Sequence, residues 1–138
     1  MQNPFQNGDN NEGPNGLPVP PNYATVKNEK GDVRIAKVGF SWTTLIFNLV
    51  VPIFRGDWYN LLCMIGIEMG VLFGIYTLPT NNMVNYAMSI ASIAFNLVWA
   101  GLYNMMYFRH LFNRGFKPAT DRSKDLLTRA GYLPKSMR

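Results

Sequence analysis

Two apolar stretches decide the fold of this chain: WYNLLCMIGIEMGVLFGIYTL from Trp58 to Leu78, and MVNYAMSIASIAFNLVWAGLYNMMYF from Met83 to Phe108. The first has 21 residues, roughly 31 Å as a helix, which matches a hydrocarbon core of about 30 Å. The second is longer and carries no charged residue, so we expect it to tilt or to extend beyond the lipid. Residues 79–82 form a short turn between them. The sequence therefore predicts a transmembrane hairpin over residues 58–114, with spans 58–78 and 83–108.

The composition of the whole chain hides this division. Its mean hydropathy of −0.04 is ordinary for a soluble protein, but it averages polar ends with the apolar middle. The formal net charge of +5 does not indicate nucleic acid, because the basic residues flank the apolar segments and form no patch interleaved with aromatic residues. We expect membrane lipid as the surroundings of the chain and no nucleic-acid partner.

The distribution of basic residues predicts the orientation. Five Lys or Arg residues precede the first span, eight follow the second, and the connecting turn has none. The positive-inside rule then places both termini in the cytoplasm. Tyr and Trp residues near the ends of both spans agree with this arrangement.

The segments before the first span have different characters. Residues 1–22 are rich in Asn, Gly and Pro, which predicts a disordered tail. Residues 23–38 alternate around a turn at Gly31, which predicts a cytoplasmic β-hairpin. Residues 39–57 contain an apolar run from Ser41 to Phe54 that would reach only roughly 21 Å as a helix. This length is too short to span, so we expect a re-entrant or interfacial helix and a turn.

Residues 115–138 are predicted to be a basic cytoplasmic tail with a short amphipathic helix. Two helix stops follow the second span, each with Gly at the left-handed C-cap position, an aromatic residue after it and then Pro; the glycines are Gly115 and Gly131. The short helix would be capped by Thr120 and run to Ala130, resting on lipid headgroups. The predicted fold is therefore an all-α membrane protein, apart from the small N-terminal hairpin.

Small residues recur along both predicted spans. Glycines at every fourth position lie on one face of the first span, a glycine-zipper pattern, and alanines supply a matching face on the second. We predict that these faces pack helices closely together. The residues are Gly66, Gly70, Gly74, Ala87, Ala91 and Ala94.

Glu68 is the one ionisable residue of the lipid-spanning stretches, and a charge at that depth costs about 2.5–3.5 kcal/mol. It lies about 160° around the helix from the glycine face. It would therefore carry a proton, meet the segment around Thr44 and Asn48, or meet another subunit. Asn96 lies at a similar depth and would be its partner across an oligomer or if the packing faces differ. Two roles stay open for Glu68, proton or ion handling and a structural hydrogen-bonded acid.

The sequence contains no pattern for catalysis or for metal binding. We find no nucleophile with its base, no phosphate loop and no metal cluster, and Cys63 is alone. We therefore expect a protein that is not an enzyme and that has no cofactor and no metal. An enzyme acting on lipid is the weakest alternative, because Arg55, Asp57 and His110 lack a nucleophile near them in sequence.

Arg55-Gly56-Asp57 matches the integrin-recognition tripeptide. Since Phe54 and Trp58 flank it at the expected cytoplasmic interface, an interfacial turn with a local charge pair explains it better.

The stretch GFSWTTLIF from Gly39, with PIFRGDW from Pro52 to Trp58 and the helix ending YNMMY at Tyr103–Tyr107, resembles the bacterial HrgC-like family of small membrane proteins. The resemblance covers roughly residues 33–133 and implies a bacterial or phage-related origin and a membrane location. The family has no established activity to transfer. The glycine face, the position of Glu68 away from it and the absence of catalytic groups lead us to expect a non-enzymatic inner-membrane component that self-associates or binds other membrane proteins. The alternative is an oligomeric pore or a proton- or ion-conducting protein that uses Glu68.

Overall fold

The computed structural model describes residues 19–138, so most of the tail expected at residues 1–22 lies outside the described residues. The elements are β1 (Tyr23–Lys27), β2 (Val33–Lys37), α1 (Trp42–Phe47), α2 (Val50–Arg55), α3 (Trp58–Tyr76), α4 (Asn81–Asn113), β3 (Lys117–Pro118), α5 (Asp121–Arg129) and a final 3-10 turn (Lys135–Met137). They form two compact units. The terminal unit comprises residues up to Gly39 together with Asn104–Arg138, and the apolar unit is Phe40–Tyr103.

The terminal unit is built around a three-stranded antiparallel sheet in the order β2-β1-β3. The predicted hairpin is confirmed, with Tyr23 opposite Lys37 and Lys27 opposite Val33. Strand β3 pairs with the other side of β1, where Val26 lies opposite Pro118. The sequence did not predict β3, because two residues that include a proline show no strand pattern.

Helix α5 packs on this sheet. The Thr120 side chain accepts a hydrogen bond from the Ser123 N–H at 3.2 Å, which confirms the predicted cap. The buried Ser123 hydroxyl in turn accepts from the Thr25 N–H of β1 at 2.9 Å. Leu127, on the apolar side of α5, is fully buried. The expectation that this side rests on lipid headgroups is therefore wrong, since the sheet covers it.

Both predicted helix stops are confirmed. Gly115 has φ of 90° and Gly131 has φ of 73°. The next N–H closes each stop, from Phe116 to the Leu111 carbonyl at 3.1 Å and from Tyr132 to the Leu127 carbonyl at 3.0 Å. The aromatic side chain after each glycine is buried and helps to form the core of the terminal unit.

The two predicted long helices are α3 of 19 residues and α4 of 33, and the apolar unit contains all of α3 and the part of α4 up to Tyr103. Both are long and apolar enough to cross a membrane by length and composition. Only 17% of the apolar window of α3 and 11% of that of α4 is buried inside the chain. A core helix of a soluble protein would instead be mostly buried. The large apolar side chains that α3 and α4 leave exposed include Leu62, Phe73, Ile90 and Ile93.

The prediction of a single helix from Ser41 to Phe54 is wrong. The segment forms two short helices, because Asn48 between α1 and α2 adopts φ of 44° and ψ of −114° and so leaves the helical region. Ser41 caps α1 by accepting from the Thr44 N–H at 3.3 Å. Pro52 lies in the first turn of α2, where its missing N–H would have no intrahelical partner.

The predicted packing of α3 on α4 through small residues is absent from the chain as the structure describes it. A Cβ added at Gly66, Gly70 or Gly74 would meet nothing within 4 Å. The two long helices make little direct backbone contact, whereas α2 packs on α3 and the Ser41 N–H donates to the Ala100 carbonyl of α4 at 2.7 Å. The α1–α2 segment therefore connects the two long helices, on a side of α3 away from the glycines.

Candidate functional site

The most distinctive polar site of the apolar unit is centred on Glu68. Its Oε1 atom accepts a hydrogen bond from Asn48 Nδ2 at 3.1 Å and another from Trp99 Nε1 at 2.8 Å. These donors come from the break between α1 and α2 and from α4. One carboxyl oxygen therefore joins three parts of the unit.

Local sequence explains how the three side chains meet. Glu68 follows Leu61 and Met64, both buried, at helical spacing on the packed face of α3. The backbone of Asn48 turns out of the helix and leaves its amide beside this face. Trp99 is 4% exposed and stacks on Phe95, with 6.5 Å between the ring centroids. The indole is thus held in place independently of the carboxyl group.

This geometry selects among the alternatives for Glu68. Its helical phase, opposite the glycines, agrees with the calculation from sequence, and it meets the segment around Asn48 as one alternative anticipated. Asn96 is not one of the two donors. Trp99 was missed, although a signal existed: an indole N–H within an apolar helix needs an acceptor, and Glu68 supplies the only carboxylate of the two predicted spans.

One polar atom at this site has no partner. Asn48 Oδ1 is buried without a hydrogen bond in the described part of the chain. A buried acceptor that lacks a donor is costly, by about 1–3 kcal/mol.

A second polar cluster surrounds Asp57, which is 3% exposed. Asp57 caps α3 and accepts from the Asn60 N–H at 3.4 Å. Its Oδ2 accepts from Asn60 Nδ2 at 2.7 Å and from the Tyr103 hydroxyl at 3.2 Å. The Arg55 guanidinium lies over the Tyr103 ring, 5.3 Å from its centroid.

The predicted interfacial turn is thus a helix cap in which Asp57 is buried and the following Trp58 is exposed. Gly56 ends α2 with φ of 66°, a left-handed conformation that glycine adopts without strain. Trp58, which follows, is 60% exposed. Asn60 and Tyr103 were not anticipated as partners of Asp57. The i to i+3 spacing from Asp57 to Asn60 is a helix-capping signal that the sequence contained.

The terminal unit holds a third polar cluster at Gly39. Its N–H donates to the Tyr132 hydroxyl at 2.9 Å, and its carbonyl accepts from Asn104 Nδ2 at 2.9 Å. Asn104 and Tyr132 are both buried. This cluster connects the N-terminal and C-terminal parts of the chain within one unit and has the character of a structural site.

None of these clusters has the composition of a catalytic or metal centre. Over residues 19–138, no group of three or more His, Cys, Asp or Glu side chains is placed to hold a metal ion. The polar groups mostly satisfy one another across elements. The arrangement can join helices, and at Glu68 it can bind a proton.

No family model, no curated protein and no solved structure matches this chain. The resemblance to the HrgC-like family stays a prediction, and the geometry is what bears on function.

Proposed function

We propose that this chain is a non-enzymatic integral membrane protein of the bacterial inner membrane that acts by associating with itself or with other membrane proteins. Its membrane spans are α3 and α4. Their apolar side chains are largely exposed, and an aqueous surface does not tolerate apolar patches of this extent. Lipid is the solvent that suits them.

The sheet of the terminal unit supports two crossings. Strand β1 precedes the apolar unit and β3 follows it, yet the two are paired. Paired strands lie on the same side of any membrane, so β1 and β3 require an even number of crossings between them. With α3 and α4 as the spans, the α1–α2 segment enters the membrane or lies on it without crossing. The positive-inside rule favours the cytoplasmic side for both termini.

The observation that carries self-association is the open glycine face of α3. Gly66, Gly70 and Gly74 form a strip along which another helix backbone can approach closely. The chain itself leaves this strip uncovered, because no heavy atom lies within 4 Å of an added Cβ. A second copy of α3 would pack closely on this strip, in the way that the sequence predicted for α4.

Substituting Gly70→Leu tests this directly. Gly101→Leu is the matched control, because both glycines are helical and exposed, and a Cβ at either position meets nothing within the chain. Neither leucine should disturb the fold of a single chain. We expect Gly70→Leu to reduce crosslinked dimer in native membranes about fivefold, a loss on the order of 1 kcal/mol, and Gly101→Leu to leave it unchanged.

Crosslinking that recovers only monomer from the unsubstituted chain, and no other protein with it, would count against the proposal. Equal loss of dimer in both variants would show that the glycine strip is not the contact.

A second candidate function is proton conduction by an oligomer through Glu68, with Asn96 at a similar depth. The observation in its favour is that the Asn48 amide bonds Glu68 through Nδ2, while its Oδ1 has no hydrogen-bond partner in the described residues. The Asn48 amide can donate through Nδ2 to an ionised Glu68. If the amide group turns over, its Oδ1 can accept from a protonated Glu68. The same pair can therefore serve both protonation states.

Proton flux into liposomes distinguishes the two functions. Conduction predicts a flux that Glu68→Gln abolishes, since the amide side chain cannot release a proton. Association alone predicts no flux above that of empty liposomes, in the presence or absence of the substitution.

A further inference from the structure

Strand β2 forms an open edge of the three-stranded sheet in the terminal unit. The order β2-β1-β3 places β1 in the middle, so among the described strands β2 has a neighbour on one side. An edge strand carries a row of backbone N–H and C=O groups that no strand pairs. Such a row can accept an extended segment of another protein as an additional strand, held by main-chain hydrogen bonds.

The pairing register shows which residues of β2 face this edge. In an antiparallel pair, successive residues alternate between bonding their neighbour strand and pointing away from it. The Val38 N–H donates to the Asn22 carbonyl at 2.7 Å, next to the β1–β2 ladder. Val38 and every second residue before it therefore face β1. The backbone groups of the residues between them, Val33, Ile35 and Lys37, form the β2 edge and point away from the sheet.

The far side of β1 gives the same alternation independently. The Thr25 carbonyl accepts from the Ala119 N–H at 2.9 Å, so the backbone of Thr25 faces β3 and not β2. Ile35 lies opposite Thr25 in the β1–β2 register, and its own N–H and C=O must then point outward. No hydrogen bond joins the backbone groups of the β2 edge to another of the described residues. The edge is open to a further strand.

The side chains of β2 define what kind of strand fits. Val33, Ile35 and Lys37 lie on one face of the strand, and Arg34 and Ala36 lie on the other. Val33 is 40% exposed and Arg34 is exposed. Opposite charges on facing positions of paired strands stabilise the pair, and like charges destabilise it. Arg34 and Lys37 therefore favour acidic residues opposite them, whereas Val33 and Ile35 favour apolar ones.

Charge also decides between an acidic partner and a second copy of this chain. The described part of the terminal unit has twelve Lys and Arg against four Asp and Glu, a formal charge of +8. Two copies joined along β2 would bring two such units together. Lysine and arginine on an edge strand oppose pairing of that kind. The same two residues attract an acidic strand, so the charge that rejects one occupant selects the other.

We propose that the β2 edge binds an acidic, extended segment of a partner protein as a fourth, antiparallel strand. From its N-terminus, the segment has the pattern acidic, any, apolar, acidic, apolar, and these residues lie opposite β2 from Lys37 back to Val33. The site goes beyond the self-association proposed above. It depends neither on the glycine strip nor on the membrane location.

A fluorescent peptide with Glu-Thr-Val-Glu-Val at its centre and both ends blocked tests the site. Fluorescence anisotropy measures its binding to the full chain in a neutral detergent, with empty micelles as the blank. We expect saturable binding, weaker by about tenfold when lysine replaces both glutamates, because two attractive pairs become repulsive. Amide hydrogen exchange at Val33 and Ile35 should slow with the peptide bound, since both N–H groups then donate to it.

Two singly N-methylated peptides separate strand pairing from charge attraction. In the proposed register, the N–H of the central valine donates to the Ile35 carbonyl, whereas the N–H of the glutamate after it points away from β2. N-methylation of the valine removes that bond and places a methyl group between the strands, so we expect binding to weaken about tenfold or more. The same modification of the glutamate should change binding by less than about twofold.

Charge reversal on the protein tests the pattern from the other side. Arg34→Glu combined with Lys37→Glu should exchange the preference, so that the lysine peptide binds better than the glutamate peptide. Binding of the lysine peptide shows that this variant is folded. Lys124→Glu combined with Lys135→Glu is the matched control, because it makes the same change in net charge at exposed positions outside β2. It should keep the preference for glutamate.

The proposal is overturned if no peptide binds, if the two N-methylated peptides bind equally, or if the control variant exchanges its preference as the β2 variant does. The last two results would leave only general charge attraction. Exchange at Ile35 that slows with rising chain concentration and no peptide would assign the edge to a second copy, which also overturns it. None of these results bears on the crosslinked dimer and its dependence on Gly70, so the two proposals fail separately.

Discussion

Glu68 shows how one ionisable side chain is accommodated in an apolar helix. Its Oε1 accepts from two neutral donors on two other parts of the unit. Each such bond offsets part of the cost of placing a carboxyl group away from water. The acid is therefore a structural connection between α3, α4 and the turn at Asn48, whatever its protonation state.

Trp99→Phe should test the strength of that connection. The phenyl ring keeps most of the packing on Phe95 but lacks the indole N–H that Glu68 accepts. We expect a loss of about 1–3 kcal/mol in unfolding free energy, measured by denaturant titration in detergent micelles. Trp58→Phe is the control, since Trp58 is 60% exposed, and it should change stability by less than about 0.5 kcal/mol. Equal effects of both substitutions would mean that the hydrogen bond contributes little.

For single residues, the sequence predicted the helix face on which a side chain lies better than it predicted the hydrogen-bond partner of that side chain. The position of Glu68 relative to the glycines follows from 100° per residue, and the structure agrees. Its partner Asn48 depends on a positive φ at a residue that is not glycine, and no hydrophobic pattern encodes such a turn. Trp99 could be inferred only by asking where its N–H goes.

Helix ends and strands that are specified by residues close together in the sequence could be predicted. The ends of α4 and α5 follow from glycine, an aromatic residue and proline in order, and each end closes with the hydrogen bonds expected of that motif. The β1–β2 hairpin follows from alternation around Gly31. These features involve residues close in sequence, so few alternatives compete with them.

Elements that depend on distant residues were not predictable. Strand β3 exists because the chain after Gly115 returns to β1, about ninety positions away in sequence. The amphipathic pattern of α5 fits a headgroup surface and a sheet equally well, and only the Thr25 to Ser123 hydrogen bond distinguishes them. The open glycine strip also depends on distant residues. The α1–α2 segment packs on the side of α3 that carries Glu68, and a sequence pattern does not show which side of a helix its neighbour will cover.

In the whole molecule, charge and apolar surface are separated between the two units. The described part of the terminal unit has twelve basic and four acidic residues, a formal charge of +8, whereas the apolar unit has Arg55 against Asp57 and Glu68, a charge of −1. This division of charge is the one that the proposed membrane location and the positive-inside rule lead us to expect. The positive-inside rule predicts only the side of the membrane that each flanking segment prefers. The pairing of β1 with β3 requires the two strands to lie on the same side.

Cysteine labelling tests these two statements separately. Cys63→Ala removes the one native thiol. Single cysteines are then placed at exposed positions by Lys30→Cys after β1, Ser136→Cys in the final 3-10 turn and Asn82→Cys at the start of α4. With a membrane-impermeant maleimide on intact cells, we expect Asn82→Cys to react and the other two to react only in inverted vesicles. If all three positions react from the same side, α3 and α4 do not cross. If Lys30→Cys and Ser136→Cys react from opposite sides, the sheet that joins β1 to β3 cannot form in the membrane-inserted chain. A complete inversion, with both ends outside, would preserve the fold and the two crossings but would show that the basic residues do not set the orientation.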